Sequence, residues 1–200
     1  SGPSFSNEVS QSLPTAVTLA TKDKKDFENI SKLIPNKEFR IYYSNDLIGT
    51  QIGGSLKNIY AIAAGVAEGL NLGENAKSAL ISRSFAEMTR YAKKFKANKN
   101  TLFGLSGLGD LILTCSSKNS RNTQFGIKLA SSKYDNFLDL LKSQEVTEGY
   151  YTVKAVYNIS QKKNIDMPIM ESVYNILYKQ HDLKEELSNL LSRPITEEKI

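Results

Sequence analysis

Beyond residue 45, apolar side chains recur every three or four positions, and the chain reads as helices separated by short polar or glycine-bearing joints. Ile48, Ile52, Leu56, Ile59 and Ala63, widened by Ile62 and Val66, form the stripe of a buried or nearly buried helix. Gly69-Leu-Asn-Leu-Gly73 predicts a turn, and Glu74 to Phe95 a long helix with Ala76, Leu80, Phe85, Met88, Ala92 and Phe95 inward. Thr101 to Asp110 reads as a glycine-rich loop leading into Leu111-Ile-Leu-Thr-Cys115, and Phe125-Gly-Ile-Lys-Leu129 as the middle of a further helix. Val146-Thr-Glu-Gly-Tyr150 opens a helix through Val153, Val156, Tyr157 and Ile159. Pro168 suits the first turn of the next, and Leu183 to Leu191 forms the last.

Ahead of residue 46 the pattern differs. Pro14 to Thr21 is short and β-branched, and Phe39 to Tyr43 is a second strand candidate. Between them Asp23 caps a helix whose apolar positions are Phe27, Ile30, Leu33 and Ile34, broken at Pro35. Strand, helix and strand make one parallel crossover unit, and because two strands alone are marginal, they are expected at the edge of a larger sheet. The expected architecture is therefore mainly α, a multi-helix domain over 46–200 preceded by a β-α-β piece over 1–45. The opening Gly-Pro-Ser-Phe, with no methionine, reads as mid-protein loop and predicts a fragment.

Three positions break the apolar pattern in ways that point to chemistry. Lys57 sits in the middle of an apolar helix, where an unpartnered ammonium costs several kcal/mol. Gly53 and Gly54, one turn ahead, each cost about 1 kcal/mol relative to alanine, so something approaches the backbone there. A ligand faced by Lys57 and Asn58 would account for both, as would a tight helix crossing with a lysine reaching for the edge. Asp110, directly before an apolar helical run, either caps that helix or orients Lys57. Ser120, Arg121 and Asn122 stand near a helix start, where free N–H groups, the helix dipole and a guanidinium suit a phosphate; the bland alternative is a solvated loop.

Composition narrows the classes. The 200 residues are 40% hydrophobic and 24% charged, as in an ordinary globular protein with a real core. A single cysteine, Cys115, and a single histidine, His181, leave no Cys/His metal site and no internal disulfide. Cys115 reads as buried packing, and His181, after a helix end, as a surface residue complementing the dipole. No run reaches the ~20 apolar residues of a membrane span and no signal peptide opens the chain, so a cytoplasmic location is expected. The net charge of +5 suits an anionic ligand, but the lysines are scattered without interleaved aromatics, which argues for phosphate over nucleic acid.

Taken together, Gly2-Pro-Ser-Phe with Glu8, Leu13-Pro-Thr-Ala, Gly53-Gly-Ser-Leu-Lys-Asn58, Gly107-Leu-Gly-Asp-Leu111, Ser120-Arg-Asn122 and Glu148-Gly-Tyr150 resemble the bacterial NAD(P)-dependent glycerol-3-phosphate dehydrogenases in order and spacing. The resemblance spans essentially the whole chain. It implies a helical substrate-binding domain of the 6-phosphogluconate dehydrogenase carboxy-terminal type, preceded by a remnant of a Rossmann domain whose Gly-x-Gly-x-x-Gly half is missing. It implies Lys57 as proton donor or acceptor in the interconversion of dihydroxyacetone phosphate and sn-glycerol 3-phosphate, with NAD or NADP as cofactor. Gly2, Ser4, Asp110, Ser120, Arg121 and Asn122 would line the substrate. Ser6, Arg121, Val146 and Glu148 would face the cofactor; Thr147, where relatives often carry valine, is a mild departure. Competing readings are another two-domain dehydrogenase acting on a hydroxy acid, and a non-enzymatic helical domain whose glycine pair marks a homodimer seam.

Overall fold

A computed structural model describes residues 1–34, 37–131, 147–194 and 197. Pro35 and Val146, two of the positions singled out above, lie outside them. The elements run α1 (Ser6–Ser10), β1 (Thr15–Ala20), α2 (Lys24–Lys32), β2 (Phe39–Ser44), α3 (Leu47–Gly69), α4 (Gly73–Lys94), α5 (Lys99–Phe103), a π-helical turn (Leu105–Gly109), α6 (Asp110–Ser116), α7 (Arg121–Ser131), α8 (Glu148–Lys163), α9 (Pro168–Lys179) and α10 (Leu183–Leu191).

Among the described residues the fold is mainly α with one two-stranded sheet. β1 and β2 pair in parallel, Thr15 opposite Phe39 through Ala20 opposite Ser44, with α2 as the crossover. Asp23 caps α2 by accepting the Lys25 N–H at 2.8 Å. Leu33, Tyr42 and Leu13 remain exposed on this unit.

Everything else is arranged around α3. Asp46 starts it, accepting the Gly49 N–H at 2.9 Å through one carboxylate oxygen and the Asn98 N–H at 2.8 Å through the other. The helix is buried along most of its length, with Leu56, Ile59, Tyr60, Ile62 and Ala64 nearly inaccessible, and α4, α6, α7, α8 and the π-helical turn all pack on it.

Two close crossings fix what lies on either side of Lys57. At Gly53 a Cβ would run into the Ser106 carbonyl, so the π-helical turn rests directly on the α3 backbone. Three turns along, Gly65 and Gly126 let α7 cross α3 at backbone contact, since a Cβ on either would strike the other helix's carbonyls. The group approaching Gly53 is thus the chain's own backbone, whereas a Cβ on Gly54 would meet the Ser1 hydroxyl, at 3.0 Å. The predicted loop over Thr101–Asp110 is also corrected: Thr101–Phe103 ends α5, Gly104 is an extended break, and Gly107 and Gly109 lie in the π-helical turn, where Gly107 permits contact with Leu102 and Gly53.

Among the described residues no helix is long and apolar enough to cross a membrane.

Candidate active site

The crossings at Gly53 and Gly65 bring α6 and the start of α7 to the same side of α3, and a cavity of about 700 Å³ opens between them and the amino-terminal segment. Lys57 and Asn58 enter it from α3, Asp110 and Thr114 from α6, Ser120, Arg121 and Asn122 from the start of α7, Glu148 from the start of α8, and Gly2, Ser4 and Ser6 from the amino-terminal segment.

Lys57 meets Asp110 at 2.7 Å, Nζ to Oδ1. The carboxylate is 3% exposed and the lysine side chain 22%, so the anion is held inside while the ammonium keeps access to the cavity. Of the two readings of Asp110, the structure takes the partner: Asp110 opens α6, but its side chain is committed to a lysine 53 residues away. Burial pushes the Asp110 carboxyl up from its ordinary value, opposed by the Lys57 ammonium and by the Gly2 N–H. Thr114, one turn along, donates to the Asp110 carbonyl at 2.6 Å and steadies the same turn. Asp110 Oδ2 is buried with no hydrogen-bond partner. An acceptor left in this state costs about 1–3 kcal/mol.

The start of α7 forms another wall of the cavity. Ser120 precedes the helix, and its Oγ accepts the Thr123 N–H at 3.2 Å. This satisfies one of the amide donors at the helix start. Arg121 projects into the cavity mouth and meets Glu148 at 3.1 Å.

Asn122 behaves differently from its neighbours. It is 4% exposed; its carboxamide donates to Asn58 Oδ1 at 3.1 Å and accepts the Gly149 N–H at 3.0 Å. Its side chain ties three helices together.

All the site residues read from the sequence and described here therefore gather in one cavity. Sequence reasoning passed over Thr114 and left Asn7 and Asn119 aside, although all three line it. The i+4 spacing of Thr114 from Asp110 on one helix was the available signal. His181 does follow the end of α9 with its side chain 41% exposed, and its Nδ1 also lies 2.7 Å from Oε1 of the nearly buried Glu186. The glycine pair is not free for a seam at Gly53, which the π-helical turn already covers.

The description "NAD-dependent glycerol-3-phosphate dehydrogenase C-terminus" matches residues 46–188. The chain belongs to this dehydrogenase family. It is 46% identical over 199 residues to glycerol-3-phosphate dehydrogenase (NAD(P)+) of Solidesulfovibrio magneticus, covering 99% of this chain and 60% of that relative. It is 43% identical over 198 residues to the enzyme of the same name from Francisella tularensis, covering 98% and 59%. A crystal structure of glycerol-3-phosphate dehydrogenase from Coxiella burnetii superposes with a TM-score of 0.90 at 40% identity, over 96% of this chain and 59% of that one. The Plasmodium falciparum glycerol-3-phosphate dehydrogenase gives 0.83 at 26% identity, over 98% and 57%. The chain thus spans about 60% of the length of the curated dehydrogenases it matches.

Proposed function

We propose that this chain is the substrate-binding part of an NAD(P)-dependent glycerol-3-phosphate dehydrogenase, interconverting dihydroxyacetone phosphate and sn-glycerol 3-phosphate and supplying the latter for glycerophospholipid synthesis. Residues 1–45 are then the end of a dinucleotide-binding domain and 46–200 the helical substrate domain, in a protein of the cytoplasm that acts as a monomer or homodimer. The observation that carries the reading is the 2.7 Å pair of Lys57 and Asp110, facing a cavity that also holds the α7 start.

Hydride arriving at a carbonyl carbon leaves negative charge on its oxygen, which a positioned ammonium stabilises and then protonates. Lys57 is that ammonium, and Asp110 keeps its Nζ in place. In the oxidising direction Lys57 is the group placed to accept the hydroxyl proton. Ser120, Arg121 and the helix start take the phosphate, spending binding energy on aligning a small substrate. Gly2, Ser4 and Asp110 line the same cavity and in this reading would meet the rest of the substrate.

The cavity has room for a nicotinamide beside a triose phosphate, and Ser6, Arg121 and Glu148 are the described residues that would hold it. When bound, NAD or NADP supplies or accepts the hydride.

The test is turnover of dihydroxyacetone phosphate with NADH and with NADPH, measured on this chain and on this chain joined to the amino-terminal portion of a relative. Turnover in the joined protein, lost in Lys57→Met, is expected. A folded joined protein that turns over a hydroxy acid but not the triose phosphate would overturn the reading in favour of the hydroxy-acid alternative.

A further inference from the structure

The ion pair between Arg121 and Glu148 is placed oddly for an ordinary surface contact. Arg121 is the first residue of α7, where the helix dipole is positive and a cation is disfavoured. Glu148 is the first residue of α8, where an anion is favoured. The two starts are held side by side by Asn122, which accepts the Gly149 N–H at 3.0 Å. They cannot drift apart cheaply or be padded out: a Cβ on Gly149 would lie 2.7 Å from Asn122 Oδ1 and from the Asn58 carbonyl. With the backbones so fixed, Glu148 Oε1 reaches Arg121 Nη2 at 3.1 Å across the cavity mouth. Both side chains are 57% exposed, which makes the pair weak enough to exchange.

A guanidinium at a helix start makes electrostatic sense only with an anion beside it. A phosphate bound at the α7 start would be that anion, and without one the Glu148 carboxylate occupies the same guanidinium. We propose that Glu148 is a positioning residue that holds Arg121 in the ligand-free protein and competes with a phosphomonoester dianion for it. The inference rests on the substrate reading above and adds to it a second duty for Glu148 beside the cofactor. The carboxylate keeps the fork of Arg121 at the mouth, and phosphate binding must displace it. Arrival of the phosphate then releases Glu148 for the cofactor side, so the two ligands share one switchable contact and each affects the affinity of the other.

The competition has an unusual signature: removing a residue of the site should tighten ligand binding. Glu148→Gln abolishes the carboxylate charge. Glu148→Asp keeps the charge near the phosphate but shortens the arm by one methylene, so that it falls short of Arg121. The experiment titrates sn-glycerol 3-phosphate, with glycerol as the phosphate-free control, into the 200-residue chain and both variants by NMR or calorimetry. Tightening of roughly two- to five-fold in both variants, with glycerol unchanged, is expected for an exposed pair of this kind. Tightening in Glu148→Gln alone would mean that Glu148 merely repels the dianion, and the competition would be wrong. Unchanged or weaker binding in both would also overturn it, leaving the substrate reading intact. Failure of all three folded proteins to bind glycerol 3-phosphate at millimolar concentration would remove the substrate reading and this inference together.

Discussion

Lys57 Nζ lies 2.7 Å from Asp110 Oδ1, while the other oxygen of the same carboxylate is buried without a partner. The ion pair therefore holds only one half of the Asp110 carboxylate, and the other half is enclosed by the chain. Replacing Lys57 by Met keeps much of the stem and removes the ammonium. Turnover of the complete enzyme should fall by about 10²–10⁴-fold, the usual worth of a positioned proton donor. Binding of glycerol 3-phosphate, which depends on the α7 start, should survive. Loss of binding with full retention of turnover per bound substrate would assign Lys57 to anchoring instead. The variant also leaves Asp110 buried without its counter-charge. The carboxyl, already raised by burial, rises further. Its protonated form is then favoured in the folded state, so the variant's stability relative to the parent should be best at low pH and decline as pH rises. Thermal unfolding across pH reads this directly.

Gly53 offers a structural test of how Asp110 reaches Lys57. A Cβ there meets the carbonyl of Ser106, which belongs to backbone and cannot swing aside. Gly53→Ala should cost about 1–3 kcal/mol by overpacking, despite alanine's better helix propensity. Because the π-helical turn runs straight into α6, the displacement should also lengthen the Lys57–Asp110 contact and reduce turnover. Gly73→Ala is the contrasting change: that glycine has no neighbour within 4 Å, and any cost comes from its positive φ of 85°. If Gly53→Ala unfolds at the parental temperature, the crossing is looser than the packing implies.

Much of this arrangement is legible locally. Asp23 caps α2, Pro168 begins α9 and the apolar stripe of α3 is continuous, because each depends on residues within a turn or two of one another. The odd residues of α3 also announced themselves, since a lysine and two glycines in an apolar helix demand an explanation. What made the explanation illegible was distance along the chain. Gly53 answers to Ser106, and Gly65 to Thr123 and Gly126. Glycine density at 104–109 reads as a loop because glycine ordinarily weakens helices; Gly104 does break the chain there, whereas Gly107 serves backbone contact with Leu102 and Gly53. Asn122 looked like a ligand for the same reason as Ser120 and Arg121, its place at a helix start. Only its partners Asn58 and Gly149, 64 and 27 residues away, reveal the structural duty of its side chain.

Cys115 is fully buried on α6, and burial pushes its thiol up to about 12. Since the thiolate is the reactive form, the folded protein should resist thiol reagents at neutral pH and react fully only once unfolded. Labelling with a chromogenic disulfide reagent with and without denaturant measures both. Rapid labelling of the native chain would show that α6, and with it Asp110, opens readily.

Glu87 carries the last prediction. It is fully buried on α4, and its carboxylate receives the Ile169 and Met170 N–H groups at 2.6 and 3.1 Å and the Tyr60 hydroxyl at 3.3 Å. These donors and Arg90 favour the charged form, yet burial outweighs them and raises the group from 4.5 to about 7. Between those values the folded chain binds a proton that the unfolded chain has released. Stability from this group is therefore fully present below pH 4.5 and is lost as pH rises through about 7. The change amounts to about 3 kcal/mol. Glu87→Gln keeps an acceptor for one N–H of α9 but turns an amide NH₂ toward the other, so its baseline stability should be lower. Its pH slope between 5 and 7 should nonetheless be flatter than that of the parent by roughly one proton. Denaturant unfolding at half-unit pH steps separates these effects. An identical slope in both proteins would mean that Glu87 stays ionised in the fold, its charge held by the start of α9 rather than expelled by the core.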